Sequence, residues 1–184
     1  MSTTFPRTRN SRRGYNVDQV EDFLEDARRA YTSDLLGPSV VTAESIRTTA
    51  FAMQKGGYST THVDAALERL EDAFASRERD KAFTAPGGDS AWYGQARSTA
   101  QEILDRLARP ESNRFSRVSY FSRGYNVKQV DAFADRLVDY FQHGKPMSID
   151  DVRLVAFTAS RRGYSESQVD LLLDNVIDVM LAVR

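Results

Sequence analysis

The chain contains no cysteine. Disulfides, thiolate metal sites and cysteine nucleophiles are therefore excluded together, and the composition fits a reducing compartment. Its two histidines, His62 and His143, lie far apart in unlike contexts, so no metal site is expected. No apolar run approaches the roughly 20 residues that span a bilayer. The stretch Met1 to Arg13 is polar and basic and lacks the apolar centre of a signal peptide. An excess of charge is missing too. A formal net charge of −1 argues against a general polyanion binder, and no nucleic-acid partner is expected. Nucleophile–base patterns, Gly-rich phosphate loops and paired catalytic carboxylates do not stand out, so the expectation is a protein without catalytic residues or cofactor, and not an enzyme.

What is present is repetition within a chain of ordinary globular composition, 184 residues with 41% hydrophobic and 28% charged side chains. Gly-Tyr occurs four times, at Gly14-Tyr15, Gly57-Tyr58, Gly124-Tyr125 and Gly163-Tyr164. Two residues after each Gly stands Asn16, Ser59, Asn126 or Ser165. Five after stands Gln19, His62, Gln129 or Gln168, then Val20, Val63, Val130 or Val169, then an acid, Glu21, Asp64, Asp131 or Asp170. The residue before Gly is Arg13, Arg123 or Arg162, and Gly56 in the second copy. The copies alternate in kind. The first and third share Gly-Tyr-Asn-Val-x-Gln-Val, with Phe5 and Phe115 upstream. The second and fourth share an upstream unit running Thr42, Ile46, Arg47, Ala50, Phe51 and Ser148, Val152, Arg153, Ala156, Phe157.

The motif has a local physical meaning. Asn or Ser followed three residues later by Gln resembles a capping box, which predicts a helix starting just after each Gly-Tyr. Apolar residues then recur in steps of four, three and four, as in Val20, Leu24, Ala27, Tyr31 or Val63, Leu67, Leu70, Phe74. That is a coiled-coil-like seam. Each helix spans about four turns, roughly 24 Å, and is marginal alone. The pattern predicts Val17–Tyr31 beside Thr60–Phe74 and Val127–Phe141 beside Glu166–Met180, paired within the chain, with Leu67, Leu70, Leu173 and Val176 buried. Thr42 and Ser148 are expected to cap short upstream helices that bury Ile46 and Ala50, or Val152 and Ala156, and that Gly56-Gly57 and Gly163 stop through a positive φ. Gly37-Pro38 and Gly144-Lys145-Pro146 break the odd-to-even connections. Between the halves, Asp89 or Ser90 caps a connecting helix to about Ala108, with Trp92, Ala96, Ala100, Ile103 and Leu107 as its apolar face. The fold class read from these patterns is all-α: short helical hairpin or coiled-coil-like repeats arranged as two duplicated halves. The domain reading is 1–80 for the first motif pair, 81–110 for a linker with its helix, and 111–184 for the second pair.

These residues resemble the DivIVA-type domain of bacterial cell-division and polar-growth proteins. The even copies, Thr42 to Phe74 and Ser148 to Met180, cover the whole unit. The odd copies match from Arg13-Gly14-Tyr15-Asn16 through Phe23-Leu24 and from Arg123-Gly124-Tyr125-Asn126 through Phe133. Repeated copies in one small chain are similar to the DivIVA-repeat proteins of actinobacteria. The resemblance implies a non-enzymatic scaffold or adaptor in the cytoplasm, at the inner face of the membrane at pole or septum. It also implies loops that present a Phe and an Arg to that surface. The family's membrane-inserting Phe stands directly before Arg-Gly-Tyr, where this chain has Arg12, Lys55, Ser122 or Arg161, with Phe121 one residue further back. The family's long coiled coil has no counterpart in the pattern.

Two approach loops carry the candidate binding residues. Phe5 stands with Arg7, Arg9, Arg12 and Arg13. Phe115, Tyr120 and Phe121 stand with Arg114, Arg117, Arg123 and Lys128, and no acid occurs from Ser112 to Lys128. Cations interleaved with aromatics suit an anionic membrane surface. An ordinary exposed loop whose aromatics tuck into the core is the other reading. For the Gly-Tyr pairs the favoured reading is structural, a turn Gly and a Tyr packed under the helix start. The acid at offset seven is expected either to pair with the Arg before Gly or to sit solvated near the helix start. Partners are thus division or polar-growth proteins or an anionic membrane surface. The alternative is a soluble cytosolic interaction module.

Overall fold

A computed structural model describes residues 5–32 and 41–184. The chain divides into two compact units, residues 1–81 and 82–184. In the first, β1 (Arg13–Tyr15) and α1 (Val17–Thr32) are followed by α2 (Ala43–Arg47), β2 (Met53–Lys55) and α3 (Thr60–Phe83), whose last turn enters the second unit. The second continues with α4 (Gly88–Leu107), β3 (Arg123–Tyr125), α5 (Val127–His143), α6 (Ile149–Arg153), β4 (Ala159–Arg161) and α7 (Glu166–Ala182). The fold is mostly helical. The all-α expectation missed the strands, which form two antiparallel ribbons, Arg13↔Lys55 through Tyr15↔Met53 and Arg123↔Arg161 through Tyr125↔Ala159. Three-residue strands ending in Gly-Tyr are too short to show a period-2 pattern.

The start signals act differently from their reading as capping boxes. Asn16 and Asn126 do cap, their Oδ1 atoms accepting from the N–H of Gln19 (3.0 Å) and Gln129 (3.2 Å). The Gln side chains do not return to the cap. Gln19 Oε1 accepts from Ala52 N–H and Gln129 Oε1 from Thr158 N–H, both at 2.8 Å, on the strand segment of the other copy. True capping boxes sit on the short helices, where Thr42 pairs with Ser45 and Ser148 with Asp151. Those helices end at Arg47 and Arg153, well before any Gly, so Ala50 and Ala156 are exposed rather than buried. The connecting helix starts from Gly87 in the left-handed region, not from Asp89 or Ser90.

In the first unit α1 and α3 run side by side in the same direction. Val17, Val20, Tyr58 and Val63 form the core at their starts, with Phe5, Tyr15, Leu24, Phe51 and Leu67 packed on it. At their far ends Arg77 Nη1 donates to Ala30 O at 2.8 Å and Tyr31 meets Phe74 at 5.4 Å. The helix α2 docks on α3, whose Glu78 accepts from Ala43 N–H at 2.9 Å. In the second unit α4 packs along α7 and against α5, burying Ala96, Ile103 and Leu107. Its Trp92 Nε1 donates to Ala182 O at 3.1 Å. Val176 is buried, as its seam position predicts, but Leu67, Leu70 and Leu173 are only half-buried. The breaker Gly37-Pro38 lies outside the described residues. Gly144 caps α5 at φ +63.

Candidate functional site

The four Gly-Tyr dipeptides meet in pairs. Tyr15 N–H donates to Tyr58 O and Tyr58 N–H to Tyr15 O, both at 2.9 Å. Tyr125 and Tyr164 exchange the same two bonds at 3.0 and 2.9 Å. The backbones cross so closely that a Cβ on Gly14 would lie 2.1 Å from Tyr58 O, and one on Gly57 2.3 Å from Tyr15 O. Close approach, not a positive φ, is thus what requires Gly57 and Gly163. The left-handed residues are their neighbours, Gly56 (φ +65) and Arg162 (φ +52).

The acid seven residues after each Gly also belongs to this crossing. In the odd copies it neither pairs with the preceding Arg nor stands merely solvated. The Tyr58 hydroxyl donates to Glu21, and the Tyr164 hydroxyl donates to Asp131 Oδ1 at 3.0 Å. After burial, Asp64 and Asp170, the acids of the even copies, raise the hydroxyls of Tyr15 and Tyr125 by their charge. The two even-copy tyrosines are therefore held by the acids of the odd copies. Burial first, then the Asp131 bond, pushes the Tyr164 hydroxyl up to about 12. Burial and the carboxylate beside each also raise Tyr15 and Tyr125. The aromatic flanks close the same core. Phe5 stands edge-on to Tyr58 at 5.5 Å, and Phe115 to Tyr164 at 5.2 Å. Arg7 lies 5.9 Å over the Tyr58 ring and Arg117 5.2 Å over that of Tyr164. Phe5, a candidate membrane contact from sequence, is thus a core residue.

The remaining candidates stand at the ribbon ends. In the second unit the chain turns at Ser119–Ser122, where Ser122 N–H donates to Ser119 O at 3.0 Å. Tyr120 is 63% exposed and Phe121 94%. Their rings meet edge to face at 5.5 Å, and the Arg162 guanidinium lies 5.9 Å over Tyr120. Arg162 takes a left-handed conformation that costs a non-glycine residue about 1 kcal/mol or more. Arg117 is fixed by Ser112 O at 3.2 Å and Arg162 O at 2.9 Å, while Arg123, Arg161 and Arg162 are exposed. The corresponding turn of the first unit is closed by Arg12 N–H to Arg9 O at 2.7 Å. Asn10 and Ser11 stand at its tip, with Arg7, Arg9, Arg12, Arg13 and Lys55 exposed around them. The second tip is aromatic and cationic, the first cationic alone. Sequence reading of the loops did not single out Lys55, Arg161 or Arg162. The four-copy alignment, which sets each beside its Gly, was the signal that could have done so.

Among the described residues no group of three or more His, Cys, Asp or Glu is placed to hold a metal ion, and no helix is long and apolar enough to cross a membrane. Comparison with family models, with curated proteins and with solved structures finds no match to this chain.

Proposed function

We propose that this chain is a non-enzymatic scaffold or adaptor that binds an anionic membrane surface peripherally. It is built from four copies of a DivIVA-like motif in two duplicated halves, and it serves cell division or polar growth at the inner face of the membrane. The observation that carries the membrane reading is Phe121, 94% exposed beside an exposed Tyr120 and three exposed arginines, with no acid between Ser112 and Val130. A free phenyl ring at a cationic loop tip has no folded-state reason to be there. Inserted below headgroups it gains roughly 1.5–3 kcal/mol, and each nearby cation adds about 1 kcal/mol at an anionic leaflet. The strained Arg162 supports the same reading, because it sits over the ring that braces Phe121.

Co-sedimentation with vesicles tests this. Binding is expected to require anionic lipid, to fall with salt and to drop about tenfold or more in Phe121→Ser. A protein left in the supernatant with anionic vesicles at low salt would refute the membrane reading. The soluble interaction module, which the ring-free tip of the first unit favours, would then replace it.

A further inference from the structure

Both ribbons contain, at the same register, a pairing that sheet physics disfavours. Arg13 lies directly across from Lys55, and Arg123 directly across from Arg161. In the first ladder Gly56 N–H donates to Arg12 O at 3.1 Å and Asn16 N–H to Ala52 O at 2.7 Å. In the second, Arg162 N–H donates to Ser122 O at 3.4 Å and Asn126 N–H to Thr158 O at 2.8 Å. These bonds fall on alternate steps and leave Arg13–Lys55 and Arg123–Arg161 as non-hydrogen-bonded pairs, the kind that hold opposed side chains closest, with Cβ atoms roughly 4.5–5.5 Å apart. Like charges directly opposite are destabilising there. A neighbouring carboxylate would relieve them, yet the sequence supplies none. Residues 5–17, 45–63, 112–130 and 152–165, which contain both ribbons and their approaches, hold no Asp or Glu. All four cations are exposed, and none of them forms an ion pair among the described residues.

We propose that each cross-strand cation pair is a receptor for one phosphate group. Two fixed positive charges bracket an anion that supplies the negative charge the protein withholds. The source assigned is the headgroup phosphate of an anionic lipid. That choice of source rests on the membrane reading above; the site itself rests on the ribbons. Lys55 and Arg161 lie on β2 and β4, outside the aromatic turn, so changing them leaves Tyr120 and Phe121 in place.

The test is the double variant Lys55→Glu/Arg161→Glu, which turns each like-charged pair into an opposite-charged one. Its melting temperature is expected to rise by about 2–5 °C as the repulsion goes. Its apparent Kd for phosphatidylglycerol-containing vesicles is expected to rise about tenfold or more. An Arg28→Glu/Arg97→Glu control, with the same change in net charge, should lose far less. A drop in melting temperature, or binding that falls no further than in the control, overturns the proposal. In a second arm inorganic phosphate replaces chloride at equal ionic strength. Wild type should be stabilised by phosphate and the double variant should not; a wild type indifferent to phosphate also overturns it. Stabilisation by phosphate without binding to anionic vesicles would refute the membrane reading alone and assign a soluble phosphate to the site.

Discussion

The two units enclose an arginine at the same place and differ in the charges set around it. In the first, Arg47 of α2 meets Glu71 of α3 at 2.9 Å, with side chains only 11% and 3% exposed. In the second, Arg153 keeps the place of Arg47 and is as enclosed, its side chain 10% exposed, but buried Ile177 stands where Glu71 would be. A second enclosed arginine there is Arg114, which donates to Asp131 O at 2.8 Å and to Asp135 at 2.6 Å beneath the crossing. One backbone plan keeps the short-helix arginine in both units and, in the second, also holds Arg114 under the ribbon. What does not move is the tyrosine–carboxylate exchange, present in both.

Breaking the helix-borne pair should have the largest effect. Glu71→Ala leaves Arg47 charged and enclosed, and should destabilise the first unit by about 3–5 kcal/mol in chemical denaturation. Arg47→Met/Glu71→Ile, which makes the first unit apolar at the Glu71 position as the second already is, should cost less than about 1 kcal/mol. A large loss in that double variant would mean that the pair positions α2 rather than merely filling space.

The exchange sharpens the comparison next. Asp131 is buried while Glu21 is exposed. Tyr164→Phe strands Asp131 without its hydroxyl donor and should cost about 1–3 kcal/mol. Tyr58→Phe should cost less, since water can reach Glu21. The pH dependence follows from burial of Tyr164 and then from the same bond. Tyr164 holds its proton up to about 12 when folded, above its ordinary value of 10.0. The unfolded chain therefore releases that proton first as pH rises, so this contribution is complete below pH 10 and is lost between there and about 12. Ultraviolet titration of phenolate should show one late component, absent from Tyr164→Phe.

The smallest expected effect concerns one missing bond. Gln168 Oε1 accepts from Ser116 N–H at 2.9 Å. The first unit has His62 at the place of Gln168 and Pro6 at that of Ser116, and proline has no N–H to give. His62 bonds Ser59 instead, at 2.9 Å. Pro6→Ser/His62→Gln should gain roughly 0.5–1.5 kcal/mol over the sum of the single variants, in a double-mutant cycle of thermal melts.

These contrasts also show what the sequence could and could not disclose. Helix positions were legible because Val20, Val63, Val130 and Val169 open long apolar periods, and Thr42 and Ser148 sit where caps must. The ribbons were not, because Arg-Gly-Tyr is too short to carry a strand signal and pairs with residues about 40 positions away. For the same reason the acids at offset seven looked local while their partners were remote. At the loops, Tyr120 and Phe121 were identified from composition. Nothing in a linear reading separated them from Phe5, whose ring faces Tyr58, because burial depends on which segment crosses beneath.

The crossing of Tyr15 and Tyr58 bears on how the molecule opens. Each N–H is closed by the carbonyl of the other, and the Tyr58 hydroxyl is closed by Glu21 on the helix that Tyr15 begins. Neither strand can fray while its counterpart stays in place. The amides of Tyr15 and Tyr58, 43 residues apart, should therefore exchange with solvent deuterium at one common free energy, as should those of Tyr125 and Tyr164. The outer turns of the long helices can exchange earlier, by local fluctuation. Each crossing thus divides its unit into a slow-exchanging knot and faster arms, and the cationic tips protrude from the slow part.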